Sequence, residues 1–169
     1  MPRKSLNGVA AFALILALPT LLSACGLRPI YSNGARGEAA QSLAAVQVEP
    51  VEGKAGWLLG NAIKDRLAAV GQASPRYSLR IRLDDNIEGL GVRADDSVTR
   101  ERRTLRARFQ LVDMSNDKTL VDETTAWDAG IDVASSEYAT VAAENSALER
   151  LTQIVADRIL ARVAVATRQ

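Results

Sequence analysis

Five arginines crowd one short stretch: Arg100, Arg102, Arg103, Arg106 and Arg108. A guanidinium is planar, permanently charged and able to grip two oxygens of a phosphate or carboxylate at once. In an extended strand, alternate residues point to the same face. That places Arg100, Arg102, Arg106 and Arg108 on one side, and Arg80 and Arg82 share a side of the preceding strand. Six such groups on one sheet face form a candidate anion-binding surface. A plainly solvated face is the alternative. Asp122 and Asp128 stand in the next strand, where they can neutralise part of the cluster, and charged faces also discourage edge-to-edge aggregation. Both readings stay open at this level.

Other chemistry is sparse. The chain has no histidine, which removes the commonest general base and metal ligand. Ser-His-Asp triads, Cys-His dyads and His-based zinc sites are thereby excluded. Nothing implies a cofactor or a metal. Asp84-Asp85 and Asp95-Asp96 are the local carboxylate pairs. They could serve a hydrolase acting on cell-wall glycans or a weak cation site, but they flank a Gly-containing stretch, 86–91, that reads as a solvated hairpin loop. Its glycines match no phosphate-cradling fingerprint. The expectation is a protein that binds and does not catalyse.

Cys25 is the only cysteine. Before it lie the positive charges Arg3 and Lys4, an apolar run from about Gly8 to Leu22, and the small residues Ser23 and Ala24. That is the layout of a secretory leader, and a cysteine at its end makes it a lipobox. The expectation is a signal peptide over 1–24, cleavage before Cys25 and acylation of its sulfur and amino group. A free thiol is the competing reading. The run is short for a spanning helix, which needs about 20 apolar residues, and Pro19 interrupts it. Each buried methylene contributes ~0.8 kcal/mol and stable anchoring takes more than one chain, which three acyl chains satisfy. Gly26, in place of an Asp that would signal inner-membrane retention, favours the outer membrane, with the domain on the periplasmic side.

The remaining chain has the length of one domain and can bury a core without disulfides. Residues 25–41 read as a lipidated lead-in or linker, broken by Asn33, Gly34 and Gly37, and 42–169 as a single domain. The formal charge of +1 turns slightly negative once Arg3 and Lys4 leave with the leader, so only local clustering can attract a polyanion. Nucleic acid is a poor candidate, because few aromatics interleave with the arginines for bases to stack on. For an envelope protein the phosphate-rich partner at hand is lipopolysaccharide or another anionic lipid.

The elements that must hold these residues follow from periodicity. Leu43 to Val48 reads as a first strand closed by Pro50. Leu58, Leu59, Ala62, Ile63, Leu67 and Val70 recur at helical spacing, and Gly71 ends a helix from about Ala55. Tyr77, Leu79, Ile81 and Leu83 alternate with polar residues, as do Leu105, Ala107, Phe109 and Leu111, so each strand has one buried and one wet face. Residues 113–118 make a polar turn into a strand over Thr119–Asp128 with Trp127. From Ser135 or Ser136 as N-cap, Val141, Leu148, Leu151, Val155 and Ile159 mark a long helix. The expected fold is α+β: a two-layer sandwich with two helices on one face of a four-stranded, mostly antiparallel sheet.

The run Cys25-Gly26-Leu27-Arg28-Pro29-Ile30-Tyr31 resembles the mature start of the lipopolysaccharide-assembly lipoprotein family LptE in its alphaproteobacterial form. Leu27 stands where that form has an aromatic residue, and Ile30 where it has Leu. The stretch Leu58 to Leu67 is similar to the family's first helix, and Pro75 to Leu79 to the entry of its second strand. Ser136 to Ala139 with Ala142 to Asn145 resembles the start of its C-terminal helix. The resemblance implies an α/β sandwich, a lipid at Cys25, an outer-membrane anchor and a non-enzymatic role. It also implies the large outer-membrane β-barrel LptD as partner, its lumen plugged by the lipoprotein, and lipopolysaccharide as bound cargo. An auxiliary lipoprotein of an ABC-type phospholipid transport system would share the anchor and a small α/β domain. The arginine face, and the loops expected over Asp84–Ser97 and Asp113–Lys118, are readings of the residues themselves.

Overall fold

Alternation without interruption governs the middle of the chain. In the computed structural model, which describes residues 37–92 and 98–167, β2 (Tyr77–Val92) pairs with β3 (Val98–Asp113) from Tyr77↔Asp113 to Val92↔Val98 in a single antiparallel register. A slip of one residue would exchange the two faces. Leu79, Ile81, Leu105, Ala107, Phe109 and Leu111 are therefore all buried on one side. β4 (Lys118–Asp132) continues the meander, with a register shift at Leu111/Val112. β1 (Val46–Val48) joins the other edge in parallel, giving the order β1-β2-β3-β4.

Both long helices cover the apolar face. α2 (Gly53–Val70) packs on β1 and β2, and α3 (Glu137–Ala166) on β3, β4 and α2. Leu59, Ile63, Leu148, Leu151, Val155, Ile159 and Val163 are essentially without solvent contact. Each such side chain stabilises the fold by roughly 1.5–3 kcal/mol on full burial. Polar ties fix the helices on one another: Lys54 Nζ donates to Asn145 Oδ1 at 2.6 Å, and Arg66 Nη1 to Gln153 Oε1 at 2.9 Å. Arg162 pairs with Glu123 on β4, and the Arg158 guanidinium lies 4.1 Å from the ring centre of Trp127. The expected α+β sandwich is present.

Four local expectations are corrected. The stretch from Leu43 is not a six-residue strand: α1 (Glu38–Ala44) takes its first part, and part of the expected lead-in, while only Val46–Val48 pairs as strand. The run Glu-Ala-Ala-Gln-Ser-Leu-Ala is made of good helix formers, and Ala40 and Leu43 bury themselves at helical spacing as α1 packs on α2 and α3. Residues Asp84 to Val92 are not loop but the second half of β2, because the polar residues on its wet face do not interrupt the ladder. Val141 is 45% exposed, nearly two turns before the apolar stripe of α3 begins in earnest at Ala147. Ser136 does occupy the N-cap of α3, yet its side chain makes no capping bond. Thr140 Oγ1 instead accepts from the Ala134 amide at 3.1 Å.

Cys25, the leader over 1–24, and Asp95 and Asp96 lie outside the described residues. The turn at 113–118 forms as expected, with Asp113 Oδ1 accepting from the Ser115 amide and hydroxyl and Asp117 at φ 55°.

Two glycines of α2 differ in their tolerance. A Cβ on Gly56 would stand 2.6 Å from the Val51 carbonyl oxygen, whereas one on Gly60 meets nothing within 4 Å. Gly56→Ala is expected to destabilise the domain by about 1–3 kcal/mol through overpacking. Gly60→Ala is expected to stabilise it by roughly 0.5–1 kcal/mol through lower helix entropy cost. Urea midpoints that move in the same direction for both would refute this account.

Candidate functional site: the uncovered face of the sheet

The even-numbered residues from Arg80 onward in β2 and up to Gln110 in β3 point away from the helices, and no described helix packs on them. Arg80, Arg82, Arg100, Arg102, Arg106 and Arg108 are all exposed on this face, as alternation predicts. Arg103 points to the other side. Its Nε donates to Asp85 Oδ1 at 2.8 Å and its Nη1 to the Glu144 carbonyl at 2.9 Å, so it ties β2 to α3.

Four of the six arginines are engaged. Arg80 meets Glu49 at 2.8 Å, Arg100 meets Asp132 at 3.1 Å, Arg102 meets Asp128 at 3.9 Å and Arg108 meets Asp122 at 2.9 Å. Asp122 and Asp128 thus play the neutralising part foreseen for them. Among the described residues, neither Arg82 nor Arg106 has a carboxylate at ion-pair distance. Arg106 faces Asp84 across the ladder, but Arg82 faces Arg108. Glu49, Asp84, Glu88, Asp122, Asp128 and Asp132 match the six arginines one for one on this side. The face as a whole is balanced, and its positive excess is local.

That excess lies around Arg82. A depression of about 330 Å³ is lined by Glu49, Pro50, Arg80, Ile81, Arg82, Arg108 and Gln110. Glu49 and Gln110 were missing from the sequence reading. Glu49 follows β1, and only the parallel pairing of β1 with β2 brings its carboxylate to Ser78 Oγ at 2.6 Å and Arg80 Nε at 2.8 Å. Those two hydrogen bonds, Ser78's first, hold the Glu49 pKa below its usual value, and Glu49 in turn raises that of Arg80. Asp122 accepts from Arg108 and from Gln110 at 2.8 Å, and these bonds lower its pKa to about 2. Arg108 is raised by the same pair. The partners hold the guanidiniums in place without neutralising Arg82. Three guanidiniums around one hollow suit a multivalent oxyanion such as a phosphate group.

Among the described residues, Asp84 and Asp85 do not form a working carboxylate pair. Asp84 and Asp85 are adjacent strand residues and point to opposite faces, Asp85 into the grip of Arg103. Among the described residues no group of His, Cys, Asp and Glu is arranged to hold a metal ion, and no helix is long and apolar enough to cross a membrane.

A family model described as lipopolysaccharide-assembly, LptE, matches residues 43–163. The chain belongs to the LptE family. The match runs from the end of α1 to the last turn of α3 and so takes in the whole sandwich. An uncharacterised protein of Rickettsia prowazekii is 25% identical over 129 residues, 76% of this chain and 80% of its own length. Two solved structures share the fold. One, from Caulobacter crescentus and described as a candidate lipoprotein, has a TM-score of 0.63 at 22% identity, covering 78% of this chain and 98% of that one. The other, a minor lipoprotein of Acinetobacter baumannii, has a TM-score of 0.59 at 16% identity over 71% of this chain and 90% of its own. Membership of the LptE family, which is non-enzymatic, makes this a lipopolysaccharide-assembly lipoprotein associated with the membrane.

The ion pairs of the open face carry an acid signature. The folded Asp122 carboxyl titrates near 2, below the ordinary 3.8. Its stabilising contribution is complete above the unfolded value and is lost as pH falls from about 4 to about 2. Arg108→Gln is expected to move the Asp122 midpoint, read by carboxyl-carbon NMR, up toward 3.8. An unchanged midpoint would show that Arg108 does not hold this carboxylate.

Proposed function

We propose that this LptE-family protein is anchored in the outer membrane through a lipid on Cys25, assembles with an LptD-type β-barrel whose lumen it plugs, and assists insertion of lipopolysaccharide into the outer leaflet. The family match over 43–163 carries the reading. The leader and lipobox of the sequence supply the anchor, which confines the domain to the membrane plane and raises its effective concentration near a membrane partner. The sandwich has one covered face and one charged, wet face, a shape suited to a polar lumen. In this reading the Arg80–Arg82–Arg108 hollow meets phosphates of the glycolipid, and Arg100, Arg102 and Arg106 extend the contact along the face. The work is binding and positioning, with no reacting group.

Gentle detergent extraction of the native protein is expected to bring down a stoichiometric outer-membrane β-barrel. An inner-membrane ATPase in its place would favour the phospholipid-transport alternative. Cys25→Ser should abolish incorporation of labelled fatty acid; a variant that still takes up label would overturn the anchor. Changing Arg80, Arg82 and Arg108 together to Gln should weaken lipopolysaccharide binding by about tenfold or more at low salt, with a smaller difference at high salt, since exposed charges are screened. Equal affinity of variant and parent would leave the face as a solvated one.

A further inference from the structure

β1 ends well before β2 does, and the place where it ends is charged. β1 pairs with Tyr77, Ser78 and Leu79, and the Glu49 amide adds a bond to the Leu79 carbonyl at 3.0 Å. Continuing that register sets Glu49 beside Arg80 and Pro50 beside Ile81. Pro50 has no amide to give the ladder, and the chain leaves it for α2 at Gly53. The Tyr77 amide donates to the Ala45 carbonyl at 3.1 Å, so odd-numbered residues of β2 aim their backbone groups at this edge. Leu83, Asp85 and Ile87 lie beyond the step, and among the described residues no strand runs beside them. Edge backbone of this kind is a template for a further strand.

The step and the anion hollow are one place. Glu49, Pro50, Ile81 and Arg82 all line the hollow. Arg82 faces Arg108 across the ladder, and Arg108 already holds Asp122. Arg82 thus has a like charge on one side and the edge on the other. A strand laid along that edge puts a side chain directly beside Arg82 on the open face, and an acidic one there relieves the repulsion. The next positions set the rest of the pattern. Leu83 packs against the core and Ile87 is 40% exposed, so the helix side favours apolar residues beside them. Asp85 is held by Arg103 and needs no further charge. Beside Asp84 and Glu88 basic residues are favoured. Antiparallel pairing is the more stable kind. In it the incoming chain runs from Glu88 toward Arg82 and turns off there, short of Pro50, so it does not meet β1. The other edge of the sheet lacks such a site: Asp122, Asp128 and Asp132 on the open face of β4 are each matched to an arginine.

We propose that residues 82–88 of β2 are a docking edge for an extended segment of another protein, which pairs antiparallel and places an acidic side chain in the hollow beside Arg82. Backbone bonds supply the affinity, and the single acid at the step sets the register. The hollow admits one anion at a time, so this carboxylate and a glycolipid phosphate exclude each other there. The inference does not rest on the glycolipid reading, because strand pairing is read from backbone amides with no lipopolysaccharide added.

The probe is a synthetic heptapeptide, Lys-Val-Thr-Thr-Lys-Val-Glu, blocked at both ends and titrated into the full-length protein in detergent micelles. Amides of Leu83, Asp85 and Ile87 should exchange more slowly as peptide is added. Replacing the peptide's Glu by Gln should weaken binding by roughly twofold to fivefold, and Arg82→Glu should reverse the preference in favour of a peptide ending in Lys. Unchanged exchange at these amides would overturn the docking edge. Binding of the Glu peptide without amide protection would do the same and leave the hollow as an anion site alone. An Arg82→Glu protein that does not prefer the Lys peptide would equally overturn it. So would amides already protected before any peptide is present, which would assign the edge to another segment of this chain.

Discussion

Two helices need an apolar surface to lie on, and a sheet offers one only if its alternation never slips. The uninterrupted register from Tyr77↔Asp113 to Val92↔Val98 meets that need. Every odd residue from Leu79 to Leu83 and from Leu105 to Leu111 reaches the helix layer, and every even residue is left on the other side. The same constraint that builds the core thus assembles the arginines. Slipping β3 by one position would bury the four guanidiniums of Arg100, Arg102, Arg106 and Arg108 and expose Phe109 and its neighbours, at a cost no domain of this size survives.

The open face is built from compensated charge. Its ion pairs are exposed, so in a high dielectric they add little to stability. Their effect is positional: each carboxylate draws one guanidinium into a defined place and leaves Arg82 with a like-charged neighbour. A surface of this kind stays soluble and still holds one local region of positive potential. That combination suits the proposed place inside a polar channel or against phosphate groups, without binding every polyanion it meets.

The LptE-family fold and the sequence meet most directly in α3. Leu148, Leu151, Val155 and Ile159 could be read as a buried stripe because helical spacing repeats them with no Gly or Pro between. Val141 fits the same spacing and is nevertheless exposed, since nothing in a linear pattern says where the sheet beneath ends. The first strand misled for a similar reason. Leu43 and Val46 are both apolar, but α1 uses one and β1 the other, and only packing against α2 and α3 separates them.

Local order alone determined that β2 and β3 have one wet and one dry face, that the arginines share the wet one, and that one helix precedes the meander and another follows it. The spacing of side chains along a chain is a covalent fact, so those properties need no partner to be read. Tertiary structure decided which charges meet. Glu49 reaches Arg80 only because β1 lies parallel to β2, Asp85 leaves Asp84 for Arg103 only because the strand continues past them, and among the described residues β2 has no strand beside its far half because β1 stops at Val48. Electrostatic pairing depends on distances across strands, and those exist only once the sheet has closed.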